Sequence, residues 1–275
     1  MLVGDPMYAT YMGLIRASGA DVIPVPLHQD NGFCMDAGTI EGALTPHSKV
    51  IFLNNPHNPT GAVLSRQQML EIAELAKAKN LWIISDEVYE ALTFPHKPFH
   101  SMLALKDFAD RVIVASSISK AHAAPGFRSG WCIGAPEVME ALLPLAETML
   151  FGNQPFIADM TVAALNQGSA VADALKQNFY RRAQMVERIL HAQTEFYAHP
   201  PQAGMFVMVN IAKTGLNGEA YASHLLEHGK VAVMPGTSFG EKMQQWIRIA
   251  LTVPDETLDI ALGRIVQHYQ HYFKA

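Results

Sequence analysis

Val50-Ile51-Phe52-Leu53-Asn54, then Ser65-Arg66-Gln67-Gln68 opening a run that reaches Asn80, then Trp82-Ile83-Ile84-Ser85, decide the fold. The outer pieces are short, apolar and rich in β-branched residues, as strands covered on both faces are. Between them Met69, Ile72, Ala73, Leu75 and Ala76 recur at helical spacing. Ser65 with Gln68 three positions on is a capping box, which starts a helix by satisfying its free N–H groups. Strand, helix and strand in this order predict one parallel crossover.

Outward from this unit the same alternation continues, with strands expected over 22–26, 112–116 and 130–134, giving an α/β chain with a mostly parallel sheet. Met1-Leu2-Val3 before Gly4-Asp5-Pro6 reads as a strand entered partway. Past Pro136 long helices are expected over 137–150, 155–167 and 170–198, the last carrying Arg181, Arg182 and Arg188 on a face read as solvated. Strands over 205–211 and 231–234 around a helix at 218–228, a strand over 246–251 and a closing helix from Glu256 complete a smaller α+β unit. The expected division is a partial large domain over 1–185 and a small C-terminal domain over 186–275, with no flexible linker and no repeat.

Of 275 residues, 49% are hydrophobic and 16% charged, against roughly 25% charged on average, so part of the surface is expected to meet a partner subunit. A net charge of -5 and the lack of a basic block argue against nucleic acid as a partner. Cys34 and Cys132 are far apart and outside any CxxC pattern, which fits a reducing cytoplasm. No window approaches the ~18 apolar residues of a membrane span and no signal peptide is read, so no membrane partner is expected.

Four features fall at predicted strand ends, where open α/β sheets bind ligands. In Asn54-Asn55-Pro56-His57-Asn58-Pro59-Thr60-Gly61 two prolines hold Asn58 in a rigid turn. Ser85-Asp86-Glu87-Val88-Tyr89 can aim Asp86 and Tyr89 into one crevice. Ser116-Ser117-Ile118-Ser119-Lys120, followed by Pro125-Gly126-Phe127-Arg128, sets an amine nucleophile and a guanidinium fork in one loop. Such a fork suits phosphate, and a desolvated lysine near positive charge forms Schiff bases. In Trp246-Ile247-Arg248-Ile249 a lone arginine alternates with apolar residues, and a substrate carboxylate is one natural partner for it.

Together these motifs, in this order and spacing, resemble the class I, fold-type I pyridoxal-phosphate aminotransferases of the aspartate aminotransferase superfamily. The resemblance runs from Asp5-Pro6-Met7-Tyr8 to Arg248. It implies pyridoxal 5'-phosphate as cofactor, a homodimer, and transfer of an amino group from an L-amino acid to a 2-oxo acid. It further implies that Lys120 holds the cofactor as a Schiff base and shuttles the proton, that Asp86 pairs with the pyridine nitrogen, and that Tyr89 and Asn58 bond the phenolic oxygen. Ser117, Ser119 and Arg128 would bind the phosphate, Tyr8 would stack on the ring, and Arg248 with Asn58 would grip the substrate carboxylate. The run from Ala115 to Gly130 with Met149-Leu150-Phe151-Gly152 looks most like arginine–pyruvate and related broad-range transaminases.

Two alternatives stay open. A lyase or decarboxylase can use the same fold and cofactor, since neither fixes which bond at Cα breaks. A truncated, non-catalytic relative is the other, because the family is expected to carry a further N-terminal stretch ahead of Asp5, with part of the small domain, a phosphate-binding turn and a tyrosine that crosses the dimer. His224-Leu225-Leu226-Glu227-His228 matches an inverted zincin pattern, but it lies at a helix end without a third ligand, and no metal is expected.

Overall fold

The computed structural model describes residues 1–95 and 97–274. The apolar runs form a six-stranded sheet, with β1 (Leu2–Asp5), β2 (Ile23–Pro26), β3 (Val50–Asn54), β4 (Trp82–Asp86) and β5 (Val112–Ser117) parallel and β6 (Gly130–Ile133) antiparallel at one edge. The order is β2-β1-β3-β4-β5-β6. From β1 the chain winds outward to β2 and then returns past β1 to β3, so winding reverses between β1 and β3, the place beside which open sheets hold ligands. Register sets Asn54 opposite Asp86, and Asp86 opposite Ala115. β3 and β4 therefore end at one level, and β5 runs on past it to Ser117.

Helices α1 (Tyr11–Ala17) and α2 (Ala37–Gly42) follow β1 and β2, and α3 (Arg66–Ala78) makes the crossover from β3 to β4. The capping box forms, with Gln68 N donating to Ser65 Oγ at 3.2 Å and Ser65 N to Gln68 Oε1 at 2.9 Å. α3 turns Met69, Ile72, Ala73 and Ala76 onto a core that includes Leu2, Ile51, Leu53 and Ile83. Burying Met69 and Ile72 is worth about 1.5–3 kcal/mol each, which holds the helix to the sheet. Beyond β5 lie the single turn α4 (Ile118–Ala121) and an arm of α5 (Pro136–Leu150) and α6 (Pro155–Gln167).

The second sheet is antiparallel, ordered β7 (Tyr197–His199), β8 (Phe206–Asn210), β10 (Trp246–Ala250) and β9 (Met234–Pro235). It packs with α7 (Ala170–Gln193), α8 (Gly218–His224) and α9 (Asp255–Tyr272) around Phe179, Val186, Leu190, Val207, Ile247 and Leu262.

Several expected boundaries shift. α7 ends at Gln193 rather than 198, because Thr194 turns extended and Tyr197–His199 pairs with β8. Cross-strand pairing outweighs the helical pattern there. Of 231–234 only Met234 is in a strand, while Val231 packs into the second core. The helix from Gly218 loosens into a π-turn over Leu225–Gly229. Arg182 is not solvated. Its Nε donates to Asp255 Oδ1 at 2.7 Å and its Nη1 to Leu251 O at 2.8 Å, tying α7 to the start of α9, with Arg181 joining Asp255 at 2.6 Å.

Candidate active site

The turn after β3 is braced from within. Asn54 Oδ1 accepts from Asn58 N at 2.8 Å, its Nδ2 donates to Asp86 O at 3.2 Å, and Asn55 Oδ1 accepts from Leu64 N at 2.9 Å. His57, buried and held neutral by desolvation with its pKa lowered to about 4, shares a 2.7 Å hydrogen bond with Thr60 Oγ1. Gly61 has φ +74°, and a Cβ there would lie 2.5 Å from Pro201 Cβ, so the close approach to the second domain requires glycine. The result is a fixed Asn58, whose Nδ2 donates to the Tyr89 hydroxyl at 3.5 Å and whose Oδ1 accepts from Arg248 Nη1 at 3.0 Å.

Arg248 reaches this point from β10 in the second sheet. Its guanidinium lies 5.1 Å from the ring centre of Phe206 and 4.8 Å from that of Phe239, with Nη2 3.5 Å from Met234 Sδ. Two aromatic faces thus hold the fork in a plane. Met7 N donates to Phe239 O at 2.7 Å, which fastens the loop after β1 to the same wall.

Asp86 ends β4. Its Oδ1 accepts from Val88 N at 3.2 Å and its Oδ2 from the Tyr11 hydroxyl at 2.5 Å. Burial raises its pKa against the opposing pull of those two donors and of Lys120. Among the described residues it forms no ion pair. The Lys120 amine lies 5.6 Å from the centre of the Tyr89 ring. Desolvation lowers its basicity, Asp86 partly opposes this, and Arg248 and Arg128 add to it. Burial likewise pushes the Tyr89 phenol up, with Arg248 pulling it back.

Ser117 and Ser119 flank the turn that carries Lys120, with Ser119 N donating to Ser117 Oγ at 3.3 Å. Arg128, in a left-handed conformation, is exposed and donates to Pro125 O at 2.7 Å. Tyr8, 37% exposed, stands edge-on to Tyr11 with ring centres 5.4 Å apart. Asn58, Tyr89 and Arg248 are therefore joined directly, Asp86 and Lys120 are near enough to influence each other's charge, and Arg128 is directed onto its own loop. The sequence reading passed over Tyr11, Phe206 and Phe239. Tyr11, one helical turn after Tyr8, had a local signal in its spacing; the two phenylalanines had none, because they meet Arg248 only through tertiary packing. In the second domain His224 Nδ1 is 2.7 Å from His268 Nε2, so the paired histidines of α8 and its π-turn face α9.

A larger, mostly parallel sheet and a smaller antiparallel one thus bring a lysine, a carboxylate and an arginine into one region. The family model described as aminotransferase class I and II matches residues 1–265, and the chain belongs to that family. It is 38% identical over 265 residues to the arginine–pyruvate transaminase AruH of Pseudomonas aeruginosa, covering 96% of this chain and 67% of that one. The structure matches N-succinyldiaminopimelate aminotransferase from Mycobacterium tuberculosis with TM-score 0.89 and 30% identity, over 97% of this chain and 71% of that one. At 24% identity a protein from Clostridium difficile 630 described as a "PLP-bound putative aminotransferase" shares the fold, with TM-score 0.89 over 97% of this chain and 70% of that one.

Proposed function

We propose that the aminotransferase chemistry of this family runs in this chain on pyridoxal 5'-phosphate held at Lys120, moving the amino group of an L-amino acid to a 2-oxo acid. One arrangement carries the reading. Asp86 is a partly buried carboxylate whose pKa desolvation raises, without an ion-pair partner among the described residues, near a lysine of lowered basicity. A desolvated anion in this position is short of a cation, and a protonated ring nitrogen supplies one. A less basic amine is the nucleophile that an aldehyde requires.

When bound, the cofactor supplies a covalent acceptor for the amino group and an electron sink for charge at the substrate Cα. Lys120 would hold it and, when its amine is free, would carry the proton at the substrate Cα. Asp86 would keep the ring nitrogen protonated. Tyr89 and Asn58 would hydrogen-bond the phenolic oxygen, and Tyr8 would cover the ring. Ser117, Ser119 and Arg128 would take the phosphate, Arg128 exchanging Pro125 O for it. Arg248 would grip the substrate carboxylate by its fork, with Asn58 setting the angle.

A homodimer belongs to this reading. α5 and α6 contain no buried residue, and Leu143, Met149, Leu150, Phe151, Phe156 and Val162 are 57–95% exposed. Large apolar side chains left exposed along both helices are a surface for a second copy. A cytoplasmic setting is supported by the two cysteines, both free thiols. Among the described residues no helix is long and apolar enough to cross a membrane.

The similarity to an arginine–pyruvate transaminase makes L-arginine and pyruvate the first pair to assay. With added pyridoxal phosphate the expected products are alanine and an equimolar 2-oxo acid. Release of ammonia or carbon dioxide in place of alanine, across a panel of amino acids, contradicts the transfer reading.

A further inference from the structure

A bare carboxylate rotates about its Cβ–Cγ bond, so a partner held by one of its oxygens needs something to fix the other. Asp86 has two such donors, approaching from different directions. Val88 N, in the turn just past β4, takes Oδ1 at 3.2 Å, and the Tyr11 hydroxyl, at the head of α1, takes Oδ2 at 2.5 Å. We propose that Tyr11 is a positioning residue, whose buried hydroxyl orients the Asp86 carboxylate toward the cofactor's ring nitrogen. The proposal rests on the reading of Asp86 above and adds a second residue to it.

Tyr11 is suited to this by burial and by charge. It is 6% exposed, its ring centre lies 4.6 Å from that of Phe52 on β3, and Tyr8 meets it edge-on. Held on two sides, the ring has little freedom to swing its hydroxyl off Oδ2. Each carboxylate oxygen has two lone-pair sites. The chain occupies one on each oxygen, which leaves one on each free. Burial pushes the phenol well above its ordinary pKa, so it donates and stays neutral. A neutral donor matters here. An arginine or lysine in its place would cancel the charge that a protonated ring nitrogen is to meet, whereas tyrosine steadies the anion and leaves that charge uncompensated.

The other groups that bear on Asp86 are Lys120 from α4, Cys132 from β6 and Tyr89 from the following turn. None of these donates a hydrogen bond to its carboxylate. Tyr11 and Tyr8 ride on one short segment, so the donor to Asp86 and the side chain proposed to cover the ring are set by the same piece of chain.

The test uses Tyr11→Phe, Asp86→Asn and the double variant, each loaded with pyridoxal phosphate, together with cofactor-free wild type and Tyr11→Phe carrying carboxyl-labelled aspartate. Because the Tyr11 hydrogen bond lowers the Asp86 pKa, its loss moves the Asp86 carboxyl titration, followed by carbon-13 NMR and assigned with Asp86→Asn, to higher pH. In the loaded enzyme the acid limb of kcat/KM moves up in pH with it, and kcat falls about tenfold, the scale of one hydrogen bond to a charged group. In the Asp86→Asn background Tyr11→Phe adds less than about twofold, as expected when one residue acts through the other. Should Tyr11→Phe not fold, 3-fluorotyrosine at position 11, a stronger donor, moves the acid limb to lower pH. An Asp86 titration and acid limb that stay put, or an equal loss in both backgrounds, overturns the proposal alone. Asp86→Asn without effect on the loaded enzyme overturns the reading of Asp86 and this proposal with it.

Discussion

Replacing Arg248 by lysine keeps the positive charge and removes the fork. In the structure Nη1 is committed to Asn58 Oδ1 at 3.0 Å, and the guanidinium plane is set by Phe206 and Phe239. An ammonium on a flexible stem has no plane for these rings to hold, so it presents one donor where the guanidinium presents two in parallel. Losing one charge-assisted bond to the substrate carboxylate costs about 1.5–3 kcal/mol, which at about 1.4 kcal/mol per tenfold is roughly 10- to 150-fold in kcat/KM. The carboxylate is held alike in ground and transition states, so the loss falls mostly on KM. The assay is steady-state kinetics with L-arginine and pyruvate, alongside agmatine, which is arginine without its carboxylate. Arg248→Lys should leave any turnover of agmatine nearly unchanged. An unaltered kcat/KM for L-arginine, or the same factor lost for agmatine, refutes the role given to Arg248.

The lowered basicity of Lys120 predicts that loading of the cofactor-free chain speeds up with pH, with a midpoint below the ordinary lysine value of 10.5, because the depressed group sheds its proton earlier; stopped-flow absorbance reads this, and a midpoint at or above that value counts against it. Among the described residues the buried Tyr221 hydroxyl has no hydrogen-bond partner, although its ring fills the second core. Tyr221→Phe removes that orphan group and is expected to stabilise the chain by about 1 kcal/mol, seen as a Tm rise of about 2–4 °C in calorimetry. Phe151 is 95% exposed at the tip of the α5–α6 arm. Phe151→Asp should shift light-scattering mass from dimer toward monomer, and a wild-type chain that is monomeric at high concentration contradicts the dimer.

Local patterns in the sequence carried most of the large sheet. Strands such as Val50–Asn54 and Trp82–Asp86 are continuous apolar runs, and the helix between them is announced by Ser65 and Gln68, so periodicity and capping suffice. The first strand was visible only as a fragment, Met1-Leu2-Val3, yet it forms an interior strand of the sheet, because sheet position depends on pairing with β2 and β3 rather than on length. The end of α7 was misplaced for the same reason, since Tyr197–His199 is a strand only by virtue of β8. Arg182 read as solvated because its partners, Asp255 and Leu251 O, lie some seventy residues away. In the candidate site, residues within short motifs were visible, while the contacts between motifs were not. Nothing local foretells that Arg248 would reach Asn58 across 190 positions, or that Tyr11 would reach Asp86 across 75.

The central claim is that Lys120 is where the cofactor is held. Reduction of the pyridoxal-phosphate-loaded chain with borohydride, followed by proteolysis and mass spectrometry, tests it directly. The account predicts a single pyridoxyl adduct on the peptide containing Lys120, with the visible absorbance band absent in Lys120→Ala. A label on another lysine, or an unchanged band in Lys120→Ala, would contradict it.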